Sequence, residues 1–335
     1  MNHAALSWDE GTHVTRDDFI LKRLRIERGE LKDWPRRSLR RHSQQTIWRD
    51  RLLHRGLQLL GLYKHGELNA RTPIIKRLVF SFETLPEAFD GFTILHLTDL
   101  HADGLKGFAD SLQNMLQSLE VDLCVLTGDY RFDVKGPCQN VYVQMERILS
   151  AVHARHGVVG ILGNHDWYEM VPEMEKLGVK MLVNDSLAID QDTHRIWLLG
   201  VDDPHYYGCA DLSCASDGVP EDAFKILLVH TPELFAEAAS HNVHLYLCGH
   251  THGGQICLPL FGPIITNANC PRAYIRGHWR HETVLGYTSV GVGTSGVPVR
   301  FFCPPELGLI TLQRGAAGIR PYVQGRLQKH LTSSR

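Results

Sequence analysis

The chain has 335 residues, 43% of them hydrophobic and 21% charged, with a formal net charge of −2. That is ordinary globular composition with length for a large core; no stretch reaches the ~18 apolar residues of a membrane-spanning helix, and the N-terminus lacks the basic-then-apolar order of a secretory signal. The eight cysteines, at 124, 138, 209, 214, 248, 257, 270 and 303, include no CxxC pair, so cysteine zinc sites are not expected and a reducing, cytoplasmic setting is.

The first 80 residues differ from the rest. They carry 17 Lys+Arg against 9 Asp+Glu, a net of +8, whereas residues 81–335 carry 18 against 28, a net of −10. Such an asymmetry suggests a basic segment that meets an anionic surface or docks on the acidic body. The stretch 22–41 is dense in Arg and Lys, and 46–63 has helical spacing, with Trp48, Leu52, Leu59 and Tyr63 on one face and Leu53 and Leu60 beside it. Arg49, Arg51 and Arg55 fall mostly off that stripe. Residues 22–63 are therefore a candidate contact with an anionic membrane, peripheral on its inner face. A helix packed on the rest of the chain is an equal alternative, since Gly56 and Gly61 weaken the helical pattern.

From about Phe80 strands and helices alternate. Apolar runs end in polar clusters at FTILHLTDLH, VDLCVLTGD, VVGILGNHD, FKILLVH and VHLYLCGHTH. Helices are predicted near 107–119, 141–156, 171–177 and 232–240, and further strands at VKMLVN, LAID, RIWLLGVD, TVLGYTSVGVG and LGLITLQ. The expected fold is α/β, a four-layer α-β-β-α sandwich of two mixed sheets. Its site would lie at the carboxyl ends of the strands, where open α/β sheets place ligands. The expected divisions are a basic, partly helical extension over 1–80, a catalytic domain over 81–315 and a polar tail over 316–335.

The clusters carry metal-ligand chemistry. Asp99 and His101 are two apart past one run, and His250 and His252 two apart past another. Asp129 follows Gly128, which permits a sharp turn, and its carboxylate has two oxygens with which to bridge cations. Asn164 offers a neutral amide oxygen, and His230 ends its run alone. These seven donors are too many for one four-coordinate zinc ion and suit two divalent ions with open positions. The mixed N/O set fits Mn, Fe, Zn or Co rather than an all-oxygen Mg or Ca site.

In this order DLH, GD, GNHD, H and GHTH resemble the calcineurin-like metallophosphoesterase superfamily, over roughly residues 92–252. GHTHGGQICLP and GVGTSGVPVRFFCPPELGLITL resemble its branch of bacterial phosphodiesterases that includes membrane-associated members. The resemblance implies that Asp99, His101 and His252 hold one metal, that Asn164, His230 and His250 hold the other, and that Asp129 bridges them. It makes His165 the catalytic group that meets the substrate and assists departure of the leaving oxygen. Many members carry an Asp three residues after the bridging Asp to orient that histidine; here the position is Phe132, with Asp133 one further on, so the partner of His165 is open. Asp166 is expected either to position the loop or to cap a helix.

The expected function is dinuclear metal-dependent hydrolysis of phosphate ester or pyrophosphate bonds, as a phosphohydrolase or phosphodiesterase. The substrate would be a small-molecule, nucleotide-linked or lipid-linked phosphate. The alternative is a nuclease of the same superfamily gripping nucleic acid through its basic N-terminal segment; few aromatics and an acidic catalytic portion count against it. Arg131, Arg300 and Tyr206 are candidate substrate contacts.

Overall fold

Residues along a strand face opposite sides in turn, and here both sides are covered. In Thr93–Leu97, Ile94 enters one core cluster while Leu95 and Leu97 enter another. Leu123–Leu126 divides the same way, Leu123 and Val125 from Cys124 and Leu126. A strand buried on both faces has no polar side to show, which accounts for the unbroken apolar runs. The computed structural model describes residues 16–31, 49–263 and 266–321.

Among these residues, one sheet has seven strands in the order Gly318–Pro321, Ile74–Phe82, Glu306–Arg314, Thr93–Leu97, Leu123–Leu126, Val158–Gly160 and Val179–Met181. The other has six, in the order Gly277–His281, Val284–Thr288, Leu245–Cys248, Lys225–Leu228, His194–Gly200 and Asp185–Gln191. Both are mixed: the six-stranded sheet is antiparallel at its two edges and parallel between, whereas the seven-stranded sheet is antiparallel at Gly318–Pro321 and between Glu306–Arg314 and Thr93–Leu97, and parallel from Thr93–Leu97 on to Val179–Met181. Their inner faces share a core that includes Phe80, Ile94, Val125, Ile196, Ile226 and Leu247. Helices Phe108–Leu116, Gln139–Leu149 and Met170–Lys176 cover the outside of the first sheet. Leu212–Ala215 and Phe235–Ser240 cover the outside of the second. The expected four-layer sandwich is what forms.

The limits of the catalytic unit differ from the expected 81 and 315. Ile74–Phe82 begins inside the supposed extension and pairs in parallel with Glu306–Arg314 along its whole length. Its first residues are largely exposed and include Lys76 and Arg77, so the run looks basic rather than strand-like. Gly318–Pro321 then returns antiparallel to it, taking the start of the supposed tail into the sheet.

The N-terminal segment packs on the body. Helix Arg16–Glu27 sends Arg16 to the Val183 carbonyl at 2.9 Å and to Asp185 at 2.8 Å, and Lys22 to the Gly208 carbonyl at 2.7 Å. Residues 49–59 are helical, and Leu53 and Leu57 sit against Val297, Val299 and Phe301. That helix ends before Gly61, whose φ is 68°, and Tyr63–Ala70 forms a separate helix. Tyr63 therefore does not extend the stripe of Leu52 and Leu59, and Trp48 lies outside the described residues, as does 32–48 of the basic stretch. No described helix is long and apolar enough to cross a membrane.

Candidate metal centre

Five of the expected ligands adopt left-handed backbone: Asp99 (φ 51°), His101 (41°), Asp129 (57°), His250 (69°) and His252 (49°). Such conformations are uncommon outside glycine and cluster where side chains are forced to converge. Each strand stops and the chain turns back on itself, so the pairs two residues apart converge by turning, not by alternation along an extended strand. Close approach also demands glycine. A Cβ on Gly163 would lie 2.3 Å from Asp129 Oδ1, and one on Gly249 would lie 2.2 Å from Asp99 Oδ2.

The convergence makes two triads of donor atoms, Asp99–His101–His252 and Asp129–His230–His250, and a third group, His101–Asp129–His165, overlaps both. Between them, His230 Nε2 is 3.3 Å and His101 Nε2 3.7 Å from the same oxygen, Asp129 Oδ2. The Asn164 amide oxygen joins the second triad, 3.0 Å from His230 Nε2 and 2.8 Å from His250 Nδ1. In the first, His252 Nε2 is 3.5 Å from Asp99 Oδ1 and 3.2 Å from His101 Nε2. Nearly all of these side chains are buried.

Backbone carbonyls fix which ring atoms face inward. His101 Nδ1 donates to the Arg131 carbonyl at 2.7 Å, His230 Nδ1 to the Thr127 carbonyl at 2.7 Å, and His250 Nε2 to the Asn267 carbonyl at 2.5 Å. In its neutral form each ring turns a lone pair toward oxygens and other ring nitrogens, an arrangement that a cation satisfies. The charges agree. Burial, and then His165, press His101 down to about 3. Burial opposes charge on His230 too, but Asp129 and Asp99 hold it up at about 10. The fall of His101 reflects burial, whereas the rise of His230 reflects the carboxylates around it, negative charge that divalent ions would balance.

His165 stands beside the triads, partly exposed, with Nε2 4.0 Å from Asp129 Oδ2. Its Nδ1 donates to the backbone carbonyl of Phe132 at 2.6 Å, and the Phe132 N–H donates to Asp103 at 2.7 Å. Asp166 accepts from the N–H groups of Asp129 (2.7 Å), Tyr130 (2.9 Å) and Gly163 (2.8 Å). It ties the two ligand-bearing turns together and caps no helix, since the next one begins only at Met170.

The calcineurin-like phosphoesterase family matches residues 92–254. The uncharacterised metallophosphoesterase YkuE of Bacillus subtilis (strain 168) is 31% identical over 245 residues, spanning 68% of this chain and 82% of YkuE. The chain belongs to the calcineurin-like phosphoesterase family. It is similar as well to a transmembrane protein with metallophosphoesterase domain of Bos taurus, 28% identical over 74% of this chain and 59% of that protein. The solved phosphopantetheinyl hydrolase of Mycobacterium tuberculosis matches with a TM-score of 0.39 at 10% identity, over 60% of this chain and 89% of that one.

As a calcineurin-like phosphoesterase, the protein is a metal-dependent phosphoester hydrolase. The expected substrate contacts have unlike surroundings. Arg300 is fully buried, and its guanidinium donates to the carbonyls of Val290, Gly291 and Gly293 and lies 3.3 Å from His252 Nδ1. It braces His252 from behind. Arg131 is 1% exposed, donates to the Gly136 carbonyl at 2.9 Å and lies over Trp167, away from solvent. Tyr206 is half-buried in the loop whose N–H groups are gathered by Asp203, next to His205, whose ring is 4.6 Å from that of His250.

Arg23 was not singled out by its sequence. It is fully buried, pairs with Asp202 and Glu27, donates to the Asp166 carbonyl at 2.6 Å and lies 3.4 Å over the Tyr207 ring. Glu27 in turn accepts from the Tyr168 N–H at 2.9 Å. The N-terminal helix thus clamps the loop that carries Asn164 and His165. An arginine among many basic residues carries no local mark of burial.

Proposed function

We propose that this phosphoesterase hydrolyses phosphate ester or pyrophosphate bonds with two divalent ions of the Mn, Fe, Zn or Co group. Asp99, His101 and His252 would hold one ion, Asn164, His230 and His250 the other, and Asp129 both. The observation that carries this reading is the single oxygen, Asp129 Oδ2, facing a histidine of each triad at 3.3 and 3.7 Å. When bound, the ions supply Lewis acidity toward the phosphoryl oxygens and lower the pKa of attacking water.

The chain's own residues supply the rest. Asp129 Oδ1 accepts from the His165 backbone N–H at 2.8 Å, so the loop of the catalytic histidine is docked on the metal-bridging side chain. With Nδ1 committed to Phe132, His165 has only Nε2 with which to give a proton to the leaving oxygen. Asn164 contributes an oxygen without adding to the negative charge of Asp99 and Asp129. The substrate class favoured is a lipid- or nucleotide-linked phosphate, and the protein attaches peripherally to an anionic membrane face. A nuclease is the weaker reading, because Arg16, Lys22 and Arg23 of the basic segment are engaged with the body.

Metal-reconstituted protein assayed on paired mono- and diester substrates tests this. Chelation should abolish activity, and a metal of the named group should restore it. Asp129→Ala should lose both metal and rate, and His165→Ala should lose rate but keep metal. Full activity in both variants would sink the reading.

A further inference from the structure

Exposed apolar side chains gather on one part of this molecule. In the ribbon that joins Cys257–Leu258 to Gly262–Pro263, Leu258 is 48% exposed, Leu260 fully so and Phe261 81%. In the helix of residues 49–59 and the turn after it, Leu52 is 75% exposed, Leu59 89% and Leu60 73%. Both elements grow from the same small cluster. Leu53 and Leu57 of the helix pack with Ile256, at the root of the ribbon, against Val297, Val299 and Phe301. The helix thus has two apolar faces, of which only one is covered by the described residues.

Cations surround this patch. Exposed Arg272 donates to the Pro263 carbonyl at 3.2 Å, and exposed Arg276 reaches Cys257 Sγ at 3.9 Å, so both stand at the base of the ribbon. Arg55 and Lys64 are exposed beside the leucines of the helical side. Apolar tips ringed by arginine and lysine match a bilayer surface, where alkyl groups enter the acyl boundary and cations meet anionic headgroups. The ribbon is also bracketed by the metal centre: His252 precedes it, and Asn267, which follows it, accepts from His250.

We infer that the 257–263 ribbon and the outer face of the 49–60 helix form one docking surface for an anionic lipid bilayer, and that it holds the mouth of the metal centre at the headgroup level. The inference rests on the lipid-linked reading of the substrate only for the benefit of that placement. It shifts the membrane contact from the basic stretch alone to a composite surface in which the ribbon leads.

Vesicle co-sedimentation of the full chain tests it, using phosphatidylcholine alone and phosphatidylcholine mixed with phosphatidylglycerol. Hydrolysis of a soluble diester is measured in parallel. The full chain should sediment with the mixed vesicles and much less with phosphatidylcholine. Leu260→Asp/Phe261→Asp and Leu59→Glu/Leu60→Glu should each cut binding at least ~tenfold and leave soluble-diester hydrolysis unchanged. Arg272→Glu/Arg276→Glu should abolish the preference for the anionic vesicles. Undiminished binding by both apolar variants overturns the inference and leaves the hydrolase reading standing. So does a dimer in light scattering that those variants dissolve, since the surface would then serve a second copy of the chain. Absence of soluble-diester hydrolysis in the metal-loaded wild type would instead strike the hydrolase reading.

Discussion

His165 is oriented by the main chain of Phe132, its Nδ1 donating to that carbonyl at 2.6 Å. Relatives of this family are expected to use a carboxylate at the same position. A carbonyl fixes the ring and its tautomer equally well, but adds no charge to stabilise an imidazolium. His165→Asn should lower kcat by ~10²–10⁴-fold with metal content unchanged. Asp103→Ala, which releases the Phe132 N–H from its 2.7 Å acceptor, should lower kcat by up to ~10²-fold through misplacement of His165. Steady-state kinetics with elemental analysis of each variant decides; metal loss in Asp103→Ala would mean that the loop supports the ligands instead.

Arg23 compensates the buried charge of Asp202 while holding the loop of Asn164 and His165. Arg23→Met strands that carboxylate and should cost on the order of 3–5 kcal/mol. Arg23→Met/Asp202→Asn removes both charges and should regain most of that stability without regaining the rate. Urea denaturation and kcat measured on the same three proteins separate the roles. A double variant restored in both respects would reduce Arg23 to a stabilising residue.

Gly249→Ala would place a methyl 2.2 Å from both Asp99 Oδ2 and Thr98 Oγ1. Asp99 is also the acceptor of the His250 N–H, at 3.0 Å, so the crowding reaches both triads. Metal affinity should fall roughly 10–100-fold, as judged by competition with a chromophoric chelator. Wild-type affinity would show that Asp99 can yield without consequence.

His244 gives a pH dependence away from the metals. Burial, helped by Lys225, lowers it to about 4, and its Nδ1 accepts from the Lys225 N–H at 3.2 Å. The unfolded ring titrates near 6.5. Between those values the unfolded chain binds a proton that the folded chain refuses, so stability is complete above about pH 6.5 and falls as pH drops toward 4. The slope from this residue is at most ~1.4 kcal/mol per pH unit. His244→Gln keeps an acceptor and cannot charge, so its stability should fall less steeply over that window in urea titrations of metal-free protein. Equal slopes would refute the assignment.

The fold was legible wherever strands are buried on both faces, because continuous apolar runs such as that ending at Leu126 leave little ambiguity. The convergence of the polar clusters was legible from their place at the ends of those runs. Ile74–Phe82 was hidden because half of it is exposed and basic. The partner of His165 was hidden because a carbonyl belongs to every residue and marks none. Arg300 reads as a phosphate contact from its charge alone, whereas burial commits its guanidinium to main-chain carbonyls. Arg23 was invisible for the reverse reason: its contacts at Asp166 and Asp202 are more than a hundred residues away, and no spacing rule reports them.

Asp129 divides its carboxylate between two tasks. Oδ1 holds the backbone of His165, and Oδ2 faces His101 and His230. Whatever draws on one oxygen alters the electron density of the other. Under the proposed reading, filling of the centre and placement of the His165 loop therefore share a single side chain.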